Sequence, residues 1–465
     1  MKWTLIICLL LLSSLHSAQD NLINYNKDNV LTSNEITATF IDSKGIVWIG
    51  TAKGLNAFTD GKWFQISHID NNETGKSSAL EKVETIFEDR KQRLWVSSRT
   101  GMYLYNREYW IGFLNATDLE HTVSLFYEDR RGWLWLVQED FENFVKEMGM
   151  ILANGTIHMF NGYSWFEYDS VVAGTAGLIN TRKDLYFFTD FLEAKNGDIW
   201  VSSLDGLFRF DGVKWDDYYE FDSKAVKTYD IMEGNDQDIW VASEYGISRY
   251  ADGKWTNFSR KDGLSNSYYD ILQQDPENRI WAFTSRNYSF NGLNMYDGEK
   301  WHEFMSKDLH IKGAVNELIF FENKVFAFSS SGLSRYNGSK WISFNRESGL
   351  KDKKYDIIEK DENNTIWLAG KKRLYRYNGT RWETLFEPDD DWQVDIIFID
   401  TRQLCWIGTK KNGIYRQLHD NSWIHYTENN GLINNHINNI FEDKTGNIWI
   451  VTTDGLSVFF KNKIK

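Results

Sequence analysis

The 465-residue chain has two cysteines, and Cys8 lies in an apolar leader, which leaves Cys405 alone. No disulfide within the mature chain can hold the fold, so stability must come from packing. Cys405 stands beside Trp406 in a predicted strand and reads as a buried, inert thiol. Long hydrophobic runs are missing as well. The apolar stretch from Trp3 to Leu12 falls well short of the roughly 20 residues a membrane helix needs. With Lys2 before it and Ser13, Ser14, Leu15, His16, Ser17 and Ala18 after it, the stretch has the form of a secretory signal. Cleavage is expected near Ala18, although His16 takes a place usually given to a small residue. Residues 1–18 are thus expected to be a signal peptide and 19–465 the mature protein, periplasmic or secreted, without a membrane span of its own.

Basic runs and catalytic signatures are absent too. The net charge is -14, and no cluster of Lys or Arg would gather phosphates, which argues against nucleic acid as a partner. No G-x-S-x-G elbow, P-loop, HExxH, EF-hand loop or paired CxxC occurs. The histidines are scattered, and His302 and His425 fall in predicted outer strands as satisfied or solvent-facing side chains rather than metal ligands. The run Asp389, Asp390, Asp391 reads as a solvated loop rather than a cation site. The expectation is no metal, no cofactor, no catalytic residue and no enzymatic activity. A carboxylate pair drawn from different repeats stays open, because 66 acidic residues offer too many candidates.

What the sequence has in excess is aromatic: 16% of its residues, with 21 Trp. A repeat of about 40 residues accounts for them. Aligned on the first aromatic, the units centre on Trp48, Trp95, Trp135, Trp200, Trp240, Trp281, Phe326, Trp367, Trp406 and Trp449. That length is one four-stranded blade, so the predicted fold is an all-β propeller of about ten repeats. Within a unit, an alternating apolar strand leads through a D-x-x-G turn into an I-W-I-G strand, and a short Gly loop leads to a third. Asp60-Gly61, Asn161-Gly162, Asp211-Gly212, Asp252-Gly253, Asp297-Gly298, Asn337-Gly338 and Asn378-Gly379 then predict tight type I′ hairpins into a fourth strand opened by Trp. Eighteen Trp occupy the second-strand and fourth-strand slots and read as core between blades.

The two chain ends are complementary in phase. Asn21 to Leu31 resembles Ser422 to Leu432, while the last unit stops after its third strand. The N-terminal segment is therefore expected to supply the missing outer strand and close a ring.

The segments DSKGIVWIGTAKGLNAF (from Asp42), EDKTGNIWIVTTDGLSVF (from Glu442) and NNGLINNHINNI (from Asn429) resemble the two-component regulator propeller repeat. The resemblance covers essentially the mature chain. It implies the periplasmic sensor portion of a membrane histidine kinase, often of hybrid type and often tied to polysaccharide breakdown products. No kinase part, receiver or membrane helix follows here, so a membrane histidine kinase or another protein partner would have to supply the signalling. The family's motif positions are structural and carry no functional residue over.

Function is expected on the face shared by the fourth-to-first and second-to-third strand connections, because nearly all length variation falls there. Trp392 has no repeat partner. Either its indole is exposed beside Asp390 and Asp391 and stacks on a sugar, or it tucks under its own loop. Tyr245, Tyr288 and Arg286 would complete such a rim. The leading expectation is a binding or sensor module for an oligosaccharide, another small polar ligand or a partner protein. A secreted propeller lyase or glycosidase and a ligand-free scaffold are the alternatives.

Overall fold

The computed structural model describes residues 22–70, 77–115, 122–140, 154–160, 165–168, 188–204, 206–218, 220–221, 224–284, 292–311, 314–389 and 392–461. The expected signal peptide lies outside them. The described residues form ten four-stranded antiparallel sheets, numbered here as blades 1 to 10 in the order of their first strands, and two small two-stranded ones, His68–Asp70 with Ser77–Ala79 and Glu220–Phe221 with Lys224–Ala225. Blade 5 is representative, with strands Thr228–Glu233, Ile239–Ser243, Gly246–Ala251 and Lys254–Phe258. Its second strand, IWVAS, is buried throughout, as the continuous apolar run requires. The expected repeat count is the observed one.

The turn between first and second strands is organised by one aspartate. In blade 10, Asp443 Oδ1 accepts from the amides of Thr445 at 2.9 Å and Asn447 at 3.0 Å, and Oδ2 accepts from the Trp449 indole at 2.8 Å. The same carboxylate-to-indole bond joins Asp42 to Trp48, Asp89 to Trp95, Asp129 to Trp135, Asp275 to Trp281, Asp361 to Trp367 and Asp400 to Trp406. Each satisfies a buried indole N–H that would otherwise carry its full desolvation cost. Blades 4 and 5 have Ala194 and Gly234 in place of the aspartate, and there the Trp200 and Trp240 indoles find no acceptor among the described residues. Blade 7 has a shorter turn without the aspartate, and Phe326, which has no N–H, replaces the Trp.

Aromatic contacts carry the packing between blades. Trp200 meets Tyr250 at 5.5 Å, Trp281 meets Tyr336 at 5.6 Å and Trp449 meets Phe58 at 5.2 Å, each edge to face and each across a blade boundary. Polar staples reinforce it from the last residue of the first strand, which reaches back to the preceding blade. Glu88 accepts from the amide of Ser43, Glu128 from Arg90, Glu193 from Arg130, Glu233 from Lys195, Gln274 from Asn235 and Glu442 from Thr401, at 2.6 to 3.0 Å.

The outer hairpins correct one expectation. Two-residue turns occur at Asp60-Gly61 and Asp252-Gly253, where both residues have positive φ as a type I′ turn demands. At Asp211, Asp297, Asn337 and Asn378 the loop holds four residues and only the glycine has positive φ. The cause is the Asp or Asn side chain. Asp297 Oδ1, for example, accepts from the amides of Glu299 and Lys300, both at 2.9 Å, and builds the turn itself. Asn161-Gly162 lies outside the described residues.

Leu22–Tyr25 pairs antiparallel with Gly455–Phe459, so the N-terminal segment is the outer strand of blade 10, in the predicted phase. Asn24 adds a bond to the Gly431 carbonyl at 2.9 Å and one from Ser457 Oγ at 2.7 Å. A buried cluster of Val47, Ile49 and Phe58 with Trp449, Val451 and Leu456 joins blade 1 to blade 10. Among the described residues, no helix is long and apolar enough to cross a membrane.

Candidate functional site

The face expected to carry function is the one from which the first strands start. Most first strands open on a β-bulge, which re-aims one side chain; the bulged residues include Glu84, Tyr229, Asp356 and Asp395. Asp190 and Asp230 lie one position further along, on the ladder itself. With Asp270 and Glu317 at the equivalent starts in blades 6 and 7, seven blades present a carboxylate at this face.

Four of these acids are engaged with neighbours. Glu84 pairs with Lys82 at 2.8 Å, Asp395 with Lys410 at 3.5 Å, and Asp356 with Lys371 while accepting from the Val394 amide of blade 9 at 3.3 Å. Asp270 accepts from the Tyr268 hydroxyl at 3.2 Å, and the Tyr268 ring packs on Tyr229 at 4.8 Å.

Asp190 and Asp230 belong to adjacent blades and act as a pair. Asp190 accepts from the Ile231 amide at 3.2 Å, and Asp230 from the Leu272 amide at 2.6 Å, so each carboxyl ties its blade to the next. Burial, and then the hydrogen-bonded Asp190 carboxyl, push Asp230 up to about 7. Burial, and secondly the charge of Glu359, do the same to Glu317, also to about 7. The face therefore holds protonatable acids near neutral pH beside tyrosine rings. Among the described residues no group of three His, Cys, Asp or Glu could hold a metal ion.

The rim expected from the sequence is only partly described. Tyr245 lies in the connection between second and third strands of blade 5 and is 48% exposed. Asp390, Asp391, Tyr288 and Arg286 lie outside the described residues. Trp392 is not an exposed platform: it is 3% exposed, packs edge-on against Phe386 at 5.6 Å and Tyr415 at 5.4 Å, and donates its indole N–H to the Gly370 carbonyl at 2.9 Å. The ring fills the joint between blades 8 and 9, so the indole is neither an exposed platform nor tucked only under its own loop. Sequence reasoning overlooked the acidic mouth, although Y-D-I recurs at Tyr229, Tyr269 and Tyr355. His302 and His425 are locally satisfied, by Asp297 and by the Asn412 carbonyl. Cys405 is fully buried, and burial pushes its thiol well above the ordinary range.

Residues 30–53 and 431–454 match the family model described as two component regulator propeller. The matched repeats are the first two strands and their lead-in from blades 1 and 10, the blades on either side of the seam. No curated protein matches the sequence. Among solved structures the chain is similar to an extracellular domain assigned to a one component system of B. thetaiotaomicron, at 15% identity and a TM-score of 0.31, over 96% of this chain and 66% of that one. A second extracellular domain from that organism, assigned to a hybrid two component system, gives 13% identity and a TM-score of 0.28 over 95% and 83%. PorZ, a surface component of the type-IX secretion system of Porphyromonas gingivalis, gives 14% and 0.35 over 93% and 69%. The propeller repeats thus span about two thirds of the length of the first of these domains. Likeness at this level assigns no activity.

Proposed function

We propose that this chain is an extracytoplasmic binding module of the sensor type, which engages a polar ligand at the acidic mouth where its first strands begin. The observation that carries the reading is the gathering of carboxylates from Glu84, Asp190, Asp230, Asp270, Glu317, Asp356 and Asp395 on one face of a repeat scaffold. Asp190, Asp230 and Asp356 also bond the next blade, but blades 1, 3 and 10 have no acid at the start of their first strands, so the repeat does not depend on one there. Carboxylates and tyrosine hydroxyls accept from sugar hydroxyls, and their negative potential disfavours anionic ligands. The ligand class is therefore a neutral or amino-bearing oligosaccharide, with Tyr245, Tyr229 and Tyr268 as ring surfaces. Asp390, Asp391, Tyr288 and Arg286 stay in the proposed rim by their place in the sequence. The repeat family, together with the leader pattern at residues 1–18, supports work in the periplasm or outside the cell beside a membrane histidine kinase or other protein partner.

The enzymatic alternative, a lyase or glycosidase, gains no support from Asp190 and Asp230, whose carboxyl groups are taken up by the Ile231 and Leu272 amides of the neighbouring blades. The deciding experiment is a panel of neutral, amino-bearing and uronic oligosaccharides, read by thermal shift and by product analysis on the same samples. A saturable rise in Tm without turnover, confined to neutral and amino-bearing sugars, is expected. Turnover would assign an enzyme. A flat response, or a preference for uronic sugars, would remove the proposed mouth.

A further inference from the structure

On the opposite face, where first strands end in the Asp-centred turns, the staple position holds no acceptor side chain in blades 1, 7, 8 and 9, which have Ile41, Phe320, Lys360 and Ile399, and a cavity lies at the joint of blades 8 and 9. Glu442 of blade 10 staples the Thr401 amide of blade 9. The corresponding residue of blade 9 is Ile399, which has no acceptor to offer the Glu362 amide of blade 8. Beside this lost staple lies a cavity of about 460 Å³, within the range of small-ligand sites.

Its walls are aromatic and acidic. The ring of Trp367 and the partly exposed rings of Phe398 and Phe441 line it. Glu359 also lines it, paired with Trp367 on the ladder, in the slot that holds Ile319, Phe398 and Phe441 in blades 7, 9 and 10. Most charged groups of the lining are already committed. Asp361 holds the Trp367 indole, Asp400 the Trp406 indole, Glu442 the Thr401 hydroxyl and amide, and Lys360 reaches away to the Phe320 carbonyl at 3.0 Å. Glu359 and Glu362 are left with no hydrogen-bond or ion-pair partner among the described residues.

We infer that this cavity binds a small organic cation, its ammonium groups facing Glu359 and Glu362 and its hydrocarbon part lying on Phe398 and Phe441. Two spare carboxylates ask for positive charge and N–H donors, and phenyl faces attract the same groups through their quadrupole. A metal ion would want more oxygen ligands than two carboxylates against an aromatic wall provide. Burial holds the Glu359 carboxyl above its ordinary range, a cost that a bound cation relieves. The inference does not depend on the oligosaccharide reading of the other face.

The probe is 1,4-diaminobutane, with 1,4-butanediol as its uncharged counterpart, titrated into the full chain by calorimetry at constant ionic strength. The diamine should bind saturably and the diol should not. Glu359→Gln and Glu362→Gln should each weaken the diamine about tenfold. Ile399→Glu, which restores the staple, should abolish binding and raise Tm. If that variant does not fold, the two glutamine variants decide alone. Equal responses to diamine and diol, full affinity in both glutamine variants, or no saturable binding of the diamine would each overturn the inference, and none of these results bears on the oligosaccharide panel.

Discussion

At the scale of the residue, the recurrent unit is an aspartate that does two jobs, closing a turn with one oxygen and holding an indole with the other. Blades 4 and 5 have lost it, and with it the acceptor for Trp200 and Trp240. Ala194 keeps the backbone geometry of the intact turns, since its amide donates to Asp198 O at 2.9 Å and its carbonyl accepts from Gly197 at 2.8 Å. Ala194→Asp combined with Asp198→Asn recreates the Asp443 and Asn447 arrangement and is expected to gain about 1 kcal/mol in chemical unfolding. An unchanged midpoint would mean that Trp200 already reaches solvent. The Asp230 carboxyl gives a pH signature. Its folded pKa is raised to about 7, so the stability it contributes is present below the unfolded carboxylate range and lost as pH rises through about 7. Glu317 acts in the same direction. Melting temperature should fall from about pH 5 to about pH 8, and Asp230→Asn should flatten part of that fall. A slope unaltered in the variant would show that Asp230 titrates normally.

At the scale of the element, each blade is a four-stranded unit whose second-strand aromatic is the main contact with the next blade. Trp240→Ala and Trp449→Ala remove rings that are 2% and 0% exposed, and each is expected to cost about 3 to 5 kcal/mol in equilibrium unfolding, with little effect on a ligand at the mouth. A variant that kept its stability but lost binding would turn the ring into a recognition platform. Trp392→Ala now belongs with these core changes and should lower stability. Blade identity was legible in the sequence because it rests on local chemistry: the Asp turn, the I-W-I-G strand and the Asp-Gly or Asn-Gly signal all sit within one 40-residue window. The place of Trp392 was not, because its acceptor, the Gly370 carbonyl, belongs to another blade. Nor was the difference between Asp230 and Asp356. Both follow a Tyr and precede an Ile, but one lies on the ladder and the other on the bulge, a shift of one residue that redirects the side chain.

At the scale of the whole molecule, contacts run from each sheet to the next and return from blade 10 to blade 1 through the Phe58 and Trp449 cluster. Removing residues 21–31 would strip the outer strand from blade 10 and uncover the edge of Gly455–Phe459. The truncated protein is expected to melt lower and to aggregate, as read by calorimetry and light scattering; a monomer with the parent's Tm would show that the strand adds nothing to closure.

That shared last sheet also sets the order in which the molecule can assemble. Ser457 and Asn24 are 433 residues apart in sequence, so their contact waits until nearly the whole chain has left the ribosome. The inner blades can each form from their own 40 residues within moments of synthesis, whereas the seam carries the entropic penalty of bringing distant ends together. Leu22–Tyr25 must remain extended and unpaired throughout that interval, an adhesive strand without its partner, and the final closing step is therefore where crowding, chaperone binding or exchange of strands between two molecules would act.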